Sequence, residues 1–356
     1  MDVAVIGAGG FVGRAVCMQL IATGIVGPGQ RLQLVGHRGG QSETGIFGQR
    51  ADLLDAYGHR GAHVEAVLDG QRIDADIVIM VAGATPSTDP SNPTTRADVA
   101  AANRELFESY ARMLREHGPE NELVLIQSNP VELAVDIFSD YLGAHRVVGA
   151  GAYVDTLRFR RELATGLESH GTPPIITGYM LGEHGPNVLP AWSTVNAAGV
   201  SRDVWEEHLR AVRMHIPLPE IPAAIATARA HLSQLVMEHR PLEAEAFLST
   251  LSPDIRSLVR PWLTHWSGRT STTTAHGVVD IVALLAHGHR VVLPLQVQLT
   301  ADQWPGVKGV LGVPVDIDAL GWHSVVPLPL TDEELQALTN VGAAIADELS
   351  EWRAPA

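Results

Sequence analysis

With 356 residues, 46% hydrophobic and 5% aromatic, the chain can bury a sizeable core and is long enough for two lobes, because single cores stop growing near ~250–300 residues. A formal charge of −15 argues against a partner such as a nucleic-acid backbone or an anionic membrane, so an anionic ligand must be caught by a local pocket. Cys17 is the only cysteine, which leaves no internal disulfide and no thiolate metal cluster.

The chain starts directly on an apolar run, "MDVAVIG", without a basic n-region and cleavage site, and no apolar run reaches the ~18 residues of a membrane span. A cytoplasmic setting is the expectation. "VAVIG" reads as a strand, "GRAVCMQLIATG" has helical spacing closed by Gly24, and "RLQLVG" is a second strand, which makes a βαβ unit. The turn between the first strand and its helix is "GAGGFVG", with Gly7, Gly9, Gly10 and Gly13. Glycines there let backbone approach a pyrophosphate, and the helix start at Phe11 and Val12 offers unpaired N–H groups and the positive end of the helix dipole. A tight turn with no ligand is the competing reading. Short-chain dehydrogenases share this glycine spacing but need a tyrosine and a lysine four residues apart. The only lysine is Lys308, with Trp304 at that distance, and this excludes them.

The second strand ends in "LVGHRGGQS". Dinucleotide folds that prefer NAD usually place an acid at this point for the ribose 2′-hydroxyl, whereas a 2′-phosphate needs the acid absent and a cation present. Gly36, His37 and Arg38 stand there instead, and the Arg38 guanidinium can give a phosphate two hydrogen bonds. NADP is therefore the expected cofactor. NAD remains the alternative, with a solvated arginine in an ordinary glycine-rich loop. The later runs "ADIVIMVAGA" and "ELVLIQSNP", separated by the helical "RADVAAANRELFESYARMLREHG", are apolar enough for strands covered on both faces. Together they predict a doubly wound parallel sheet over roughly residues 1–145, with its crevice at the carboxyl ends of the strands.

"RVVGAGAYVDTLRFRREL" opens with small residues and becomes helical, and Asp155 and Arg158, three apart, share a helix face. Alone they would be an ordinary ion pair. A separate segment, "GYMLGEHGPNVLPAW", sets His184 between an acid and a glycine, among 16 histidines in all. A carboxylate that fixes an imidazole tautomer and favours its charged form makes a proton donor and acceptor near neutral pH, and a nearby arginine can orient a substrate carboxylate. "SGRTSTTTAHGVVDIVALLAHG" reads as a threonine-rich lead into a helix. Its Thr270 and Thr274 are either pocket residues or hydroxyls capping the helix. "HGHR" at 287–290 and His265 have no zinc spacing and read as surface or core polar residues. "RVVLPLQVQL" and "SVVPLPL" read as strands. "TDEELQALTNVGAAIADELSEW" reads as an amphipathic helix opened by a Thr331–Glu334 capping box.

The segments "GAGGFVG", "SNPVE", "GAGAYVDTLRFRREL", "GEHGPNVLPAWS" and "GVPVDIDALGWHSVVPLPLTDEE", in this order and spacing, resemble the lactate/malate dehydrogenase family over essentially the whole chain. The resemblance implies an α/β fold: a Rossmann domain at 1–147 and a C-terminal α+β catalytic domain at 148–356. It also implies hydride transfer between a nicotinamide and C2 of a 2-oxo or 2-hydroxy acid, and a homodimer or homotetramer. By the same resemblance His184 is the acid/base, Asp155 its partner and Arg158 the two-pronged anchor of the substrate carboxylate. Arg96 is the cation that a mobile loop closes over the carbonyl, and Asn129 touches both cofactor and substrate. The threonine-rich segment lines the nicotinamide and substrate side.

One departure bears on the substrate. Residues 84–96 form a longer loop than the family's, with three prolines and no arginine or lysine before Arg96. Malate-specific members place an arginine in this loop and lactate-specific members a glutamine. The matching position here is Pro86 counting forward or Pro90 counting back. An unpaired second carboxylate in a closed site is costly, so the expected substrate is a 2-oxo acid with an apolar or neutral side chain rather than a dicarboxylate. The reading from a different class is a dinucleotide-binding protein that keeps the scaffold without catalysis. The presence together of Asp155, Arg158, His184 and Arg96 speaks for the enzyme.

Overall fold

The computed structural model describes residues 1–39, 41–68, 73–87, 94–167, 174–264 and 270–354. In chain order the first half comprises β1 (Val3–Ile6), α1 (Phe11–Ala22), β2 (Arg31–Val35), α2 (Gln41–Tyr57), β3 (His63–Val67), β4 (Ile77–Met80), α3 (Arg96–His117), β5 (Leu123–Ile126), α4 (Val131–Leu142) and β6 (Val147–Gly149). There follow α5 (Gly151–Ala164), β7 (Ile175–Gly182), β8 (Val188–Ala198), α6 (Arg202–Val212), α7 (Ile221–Met237), α8 (Pro241–Ser249), α9 (Pro253–Val259) and α10 (Pro261–Thr264). The chain closes with α11 (Thr272–Ala286), β9 (Val291–Leu299), β10 (Gly309–Asp318), β11 (Gly321–Val325) and α12 (Asp332–Arg353).

Strands β1 to β6 are parallel in the order β3-β2-β1-β4-β5-β6. Val3 pairs with Leu32 on one side and Ile77 on the other. Every residue of β1, β4 and β5 is buried, as their unbroken apolar runs require of strands covered by helices on both faces. The order reverses between β1 and β4, and a ligand crevice opens beyond their carboxyl ends.

The sheet does not stop at β6. Gly149 pairs antiparallel with Gln296 of β9, and the ladder continues through β10, β7 and β8, with β11 sharing with β7 the edge of β10 that faces away from β9. The apolar interior falls into two clusters. One cluster joins β1–β6 and their helices to β9, β10, α11 and α12. A second lies among α5, β7, β8 and helices α6 to α9. Helix α9 is pinned to α5 by the buried Glu162 carboxylate, which takes the Nε of Arg256 at 2.5 Å and of Arg260 at 2.6 Å. Burial pushes Glu162 up, but the Arg260 and Arg161 guanidinium groups hold it below the usual carboxylate range.

Local signals account for most boundaries. Helix α1 ends one residue before Thr23, and Gly24 follows at φ 78. Helix α12 has the expected Thr331–Glu334 capping box, and α3 has another, between Thr95 and Asp98. One strand is shorter than its sequence suggested. "SVVPLPL" is strand only as far as Val325, because Pro327 and Pro329 have no N–H to give the ladder. Among the described residues no helix is long and apolar enough to cross a membrane.

Candidate active site

Small residues build the seat of the site. The stretch Gly149–Ala152 turns β6 into α5, and a Cβ on Gly151 would lie 2.5 Å from Cβ of His184. That glycine lets the residue after β7 and Glu183 pack its imidazole root directly on the first turn of α5. One turn along, Asp155, 3% exposed, accepts from His184 Nδ1–H at 2.7 Å through Oδ2 and from Arg158 Nη1 at 3.1 Å through Oδ1. The carboxylate thereby fixes the tautomer and leaves Nε2 as the ring nitrogen for proton exchange.

Burial alone would push the His184 imidazole down, but Asp155, with Glu132 behind it, raises it above the ordinary histidine range. Burial would likewise raise Asp155, yet His184 and Arg158 hold it below the usual carboxylate range. The pair is ready to hold a proton near neutral pH. Arg158 turns its other fork to Thr270, with Nη2 donating to Oγ1 at 3.0 Å, and Thr270 and Thr274 share a hydrogen bond at 3.1 Å. Of the two readings of these threonines, the contact with Arg158 favours the pocket.

Arg96 lies beside His184 but is not carried on a loose loop. It is the first residue of α3, directly behind the Thr95 cap. Its Nη2 donates to Glu132 at 2.6 Å, Nη1 pairs with Glu183, Nε lies 3.9 Å from Glu348, and the guanidinium stacks 5.3 Å above the Trp352 ring. Sequence reasoning missed this seat. Glu132 and Glu183 stood inside quoted motifs, but an acid in a helix first turn and an acid beside a histidine read as ordinary. Asn103, buried on α3, was also missed: its amide holds both backbone groups of Ala84 and the carbonyl of Asn129, joining the loop root to the turn after β5. Asn129 itself is exposed in the crevice. Pro86 is among the described residues, whereas Pro90 and His265 lie outside them. His287 and His289 stack on each other at 6.0 Å, and no metal-binding group of side chains occurs among the described residues.

The crevice fits a dinucleotide. Gly7, at φ +89, brings the turn so close to the end of β4 that a Cβ there would lie 2.6 Å from the Ala82 nitrogen. Gly10, the N-cap of α1, is exposed, as is Phe11 at 65%, while Gly9 is half-buried against Ile46 and Ser42. Val12 is half-buried, and Arg14 holds the turn by donating to the Gly9 carbonyl at 2.9 Å. Gly13 faces inward, where a Cβ would sit 2.8 Å from Ala8 Cα. Gly13→Ala is expected to cost about 1–3 kcal/mol of stability from overpacking and to weaken nucleotide binding at least tenfold. Thermal unfolding and NADH fluorescence titration would check both, and an unchanged protein would refute the turn's assignment.

At the end of β2, Gly36 is pressed against α2, with a Cβ position 2.9 Å from Ile46 Cδ1, and His37 N–H donates to Ser42 Oγ at 2.9 Å. Arg38 is exposed beside them. The expectation of an acid-free turn needs amending, because folding of α2 brings in Glu43, whose Oε2 accepts from Gly39 N–H at 2.6 Å.

A doubly wound nucleotide crevice opening onto an Asp–His pair flanked by two arginines defines a nicotinamide-dependent dehydrogenase of 2-hydroxy acids. The family model described as lactate/malate dehydrogenase, NAD binding domain, matches residues 1–149. The L-lactate dehydrogenase of Lactobacillus helveticus is 30% identical over 285 residues, spanning 78% of this chain and 72% of that protein. That of Halalkalibacterium halodurans is 28% identical over 284 residues, 76% of each. The crystal structure of the minor L-lactate dehydrogenase from Enterococcus mundtii has the same fold, with a TM-score of 0.72, 23% identity and 99% of both chains covered. The chain belongs to the lactate/malate dehydrogenase family.

Proposed function

We propose that the protein reduces monocarboxylic 2-oxo acids, pyruvate and its longer apolar homologues, with NAD as its cofactor. The observation behind this reading is the His184 imidazole held by Asp155, with Arg158 on the same carboxylate and Arg96 joined to His184 through Glu132. Arg158 takes the substrate carboxylate in a two-pronged grip, exchanging its Thr270 contact for the substrate. Arg96 and protonated His184 face the 2-oxo oxygen, where negative charge develops in the transition state. His184 then gives its Nε2 proton to that oxygen, and Asp155 stabilises the cation while the proton is held. When bound, the nicotinamide supplies the hydride for C2; Gly7, Gly9, Gly10, Phe11, Val12, Gly13 and Asn129 would hold it.

A second carboxylate is disfavoured because positions 84–95 contain no arginine or lysine to meet it. NAD is supported by the description of the matching family model and by the Glu43 carboxylate at the turn after β2. NADP is the second reading, favoured by Gly36, His37 and Arg38 at that strand end. Initial rates of NADH and NADPH oxidation across 2-oxo acids of differing charge and bulk, with His184→Asn as blank, test all of this. The expected result is NADH-linked turnover of pyruvate or a larger apolar homologue. A preference for oxaloacetate would overturn the substrate reading, a preference for NADPH the cofactor reading, and silence across the panel would favour the non-catalytic scaffold.

A further inference from the structure

Glu132 is a carboxylate that none of these roles uses. It sits in the first turn of α4 with no exposed surface, and a buried carboxylate is tolerated only where it is paired and hydrogen-bonded. A favourable interaction with the helix dipole would be served as well by a solvated acid. Glu132 is instead aimed across element boundaries. Oε1 accepts from the backbone N–H of His184 at 2.7 Å, and Oε2 accepts from Arg96 Nη2 at 2.6 Å. One rigid group thus spans His184, after β7, and Arg96, which opens α3.

The surrounding charges are Asp155 and Arg158 on α5, Glu183 after β7, Arg96 on α3 and Glu348 on α12. Glu183 holds the other Nη of Arg96 and also accepts from Asn187 N–H at 2.9 Å, so it anchors the turn after His184 rather than His184 itself. Among the described residues, Glu132 is the one whose carboxylate accepts hydrogen bonds from both His184 and Arg96.

We propose that Glu132 is a positioning residue that sets the spacing between the His184 imidazole and the Arg96 guanidinium so that both reach one carbonyl oxygen. The proposal rests on the 2-oxo acid reductase reading for what the two groups do there, but the linkage is a property of the ligand-free protein. Its negative charge, set against the His184 backbone N–H, also favours the charged form of His184.

The test compares wild type with Glu132→Gln and Glu132→Asp by two readouts. The first is NMR titration of the His184 ring in the ligand-free protein, its signals identified by their loss in His184→Asn. The second is the pH dependence of kcat and KM for the best 2-oxo acid. For Glu132→Gln the His184 titration is expected to move down by about half a unit or more, with kcat falling roughly tenfold or more and KM for the 2-oxo acid little changed, since Arg158 is untouched. Glu132→Asp keeps the charge but shortens the reach by one carbon, so His184 should titrate near its wild-type position while kcat still falls. A His184 titration unmoved in Glu132→Gln overturns the proposal whether or not a substrate has been found. If Glu132→Gln does not fold, wild-type kcat in Glu132→Asp overturns it. A wild type that reduces no 2-oxo acid, with a shifted titration in Glu132→Gln, refutes the reductase reading and leaves the linkage standing.

Discussion

His184→Asn is expected to lower kcat for 2-oxo acid reduction by about 10²–10⁴, the range that a positioned general acid contributes, while NADH binding stays within a few-fold. The side chain lies on Gly151 and is held by Asp155 through Nδ1; asparagine fills part of that space and has no titrating group. The same assignment fixes the pH dependence of the wild type. Its pKa is raised, so kcat/KM for reduction should be level at low pH and fall about tenfold per unit once pH passes the raised value. Oxidation of the hydroxy acid, which needs neutral imidazole, should rise over the same range. Rates from pH 5 to 10 in both directions would decide it, and a reduction rate that climbs with pH, or a His184→Asn enzyme at wild-type speed, would remove His184 from the chemistry. The pair also links stability to pH. The depressed carboxyl of Asp155 contributes stability above the ordinary carboxylate range, lost as pH falls through its folded value. The raised imidazole contributes below about pH 6.5, and this is lost as pH rises through its folded value.

Arg158→Lys should cost roughly 30-fold to several thousand-fold in kcat/KM for the 2-oxo acid, the equivalent of about 2–5 kcal/mol for breaking a buried charge pair. Most of it should fall on KM. Lysine keeps the charge, but an ammonium cannot span Asp155 and a bidentate carboxylate in the geometry that the guanidinium fork gives. His184 keeps its own bond to Asp155, so kcat at saturation should fall much less. Steady-state kinetics with a carboxylate-bearing substrate and its amide analogue would separate anchoring from folding damage. Equal losses for both compounds would show that Arg158 does not hold the carboxylate.

The sequence made the parallel sheet readable because β1, β4 and β5 are apolar on every residue, and the capping box of α12 because its signal is local. Asp155, Arg158 and His184 were readable as a resemblance, since their segments keep order and spacing. What escaped were groups joined only by folding. The seat of Arg96 draws Glu132 from α4, Glu183 from after β7 and Trp352 from α12, and no spacing in the sequence relates those three. Glu43 was invisible as a turn ligand because it belongs to the helix that follows. The strand at "SVVPLPL" was misjudged at its end, where alternation continued past the point at which proline denies the ladder its N–H.

The continuation of the sheet from β6 into β9 bears on how the molecule is made. Gly149 meets Gln296, and α1 packs on α11, so the interior of the nucleotide-binding half is completed by chain that comes much later. Such distant pairings are slow to form, because loop closure precedes any gain from contact. Residues 1–149 produced alone should expose the apolar face meant for β9, β10 and α11, and behave as a sticky folding intermediate rather than as a transplantable cassette. A chimera that exchanges nucleotide specificity with a relative would therefore have to take the later strands and helix along with the glycine-rich turn.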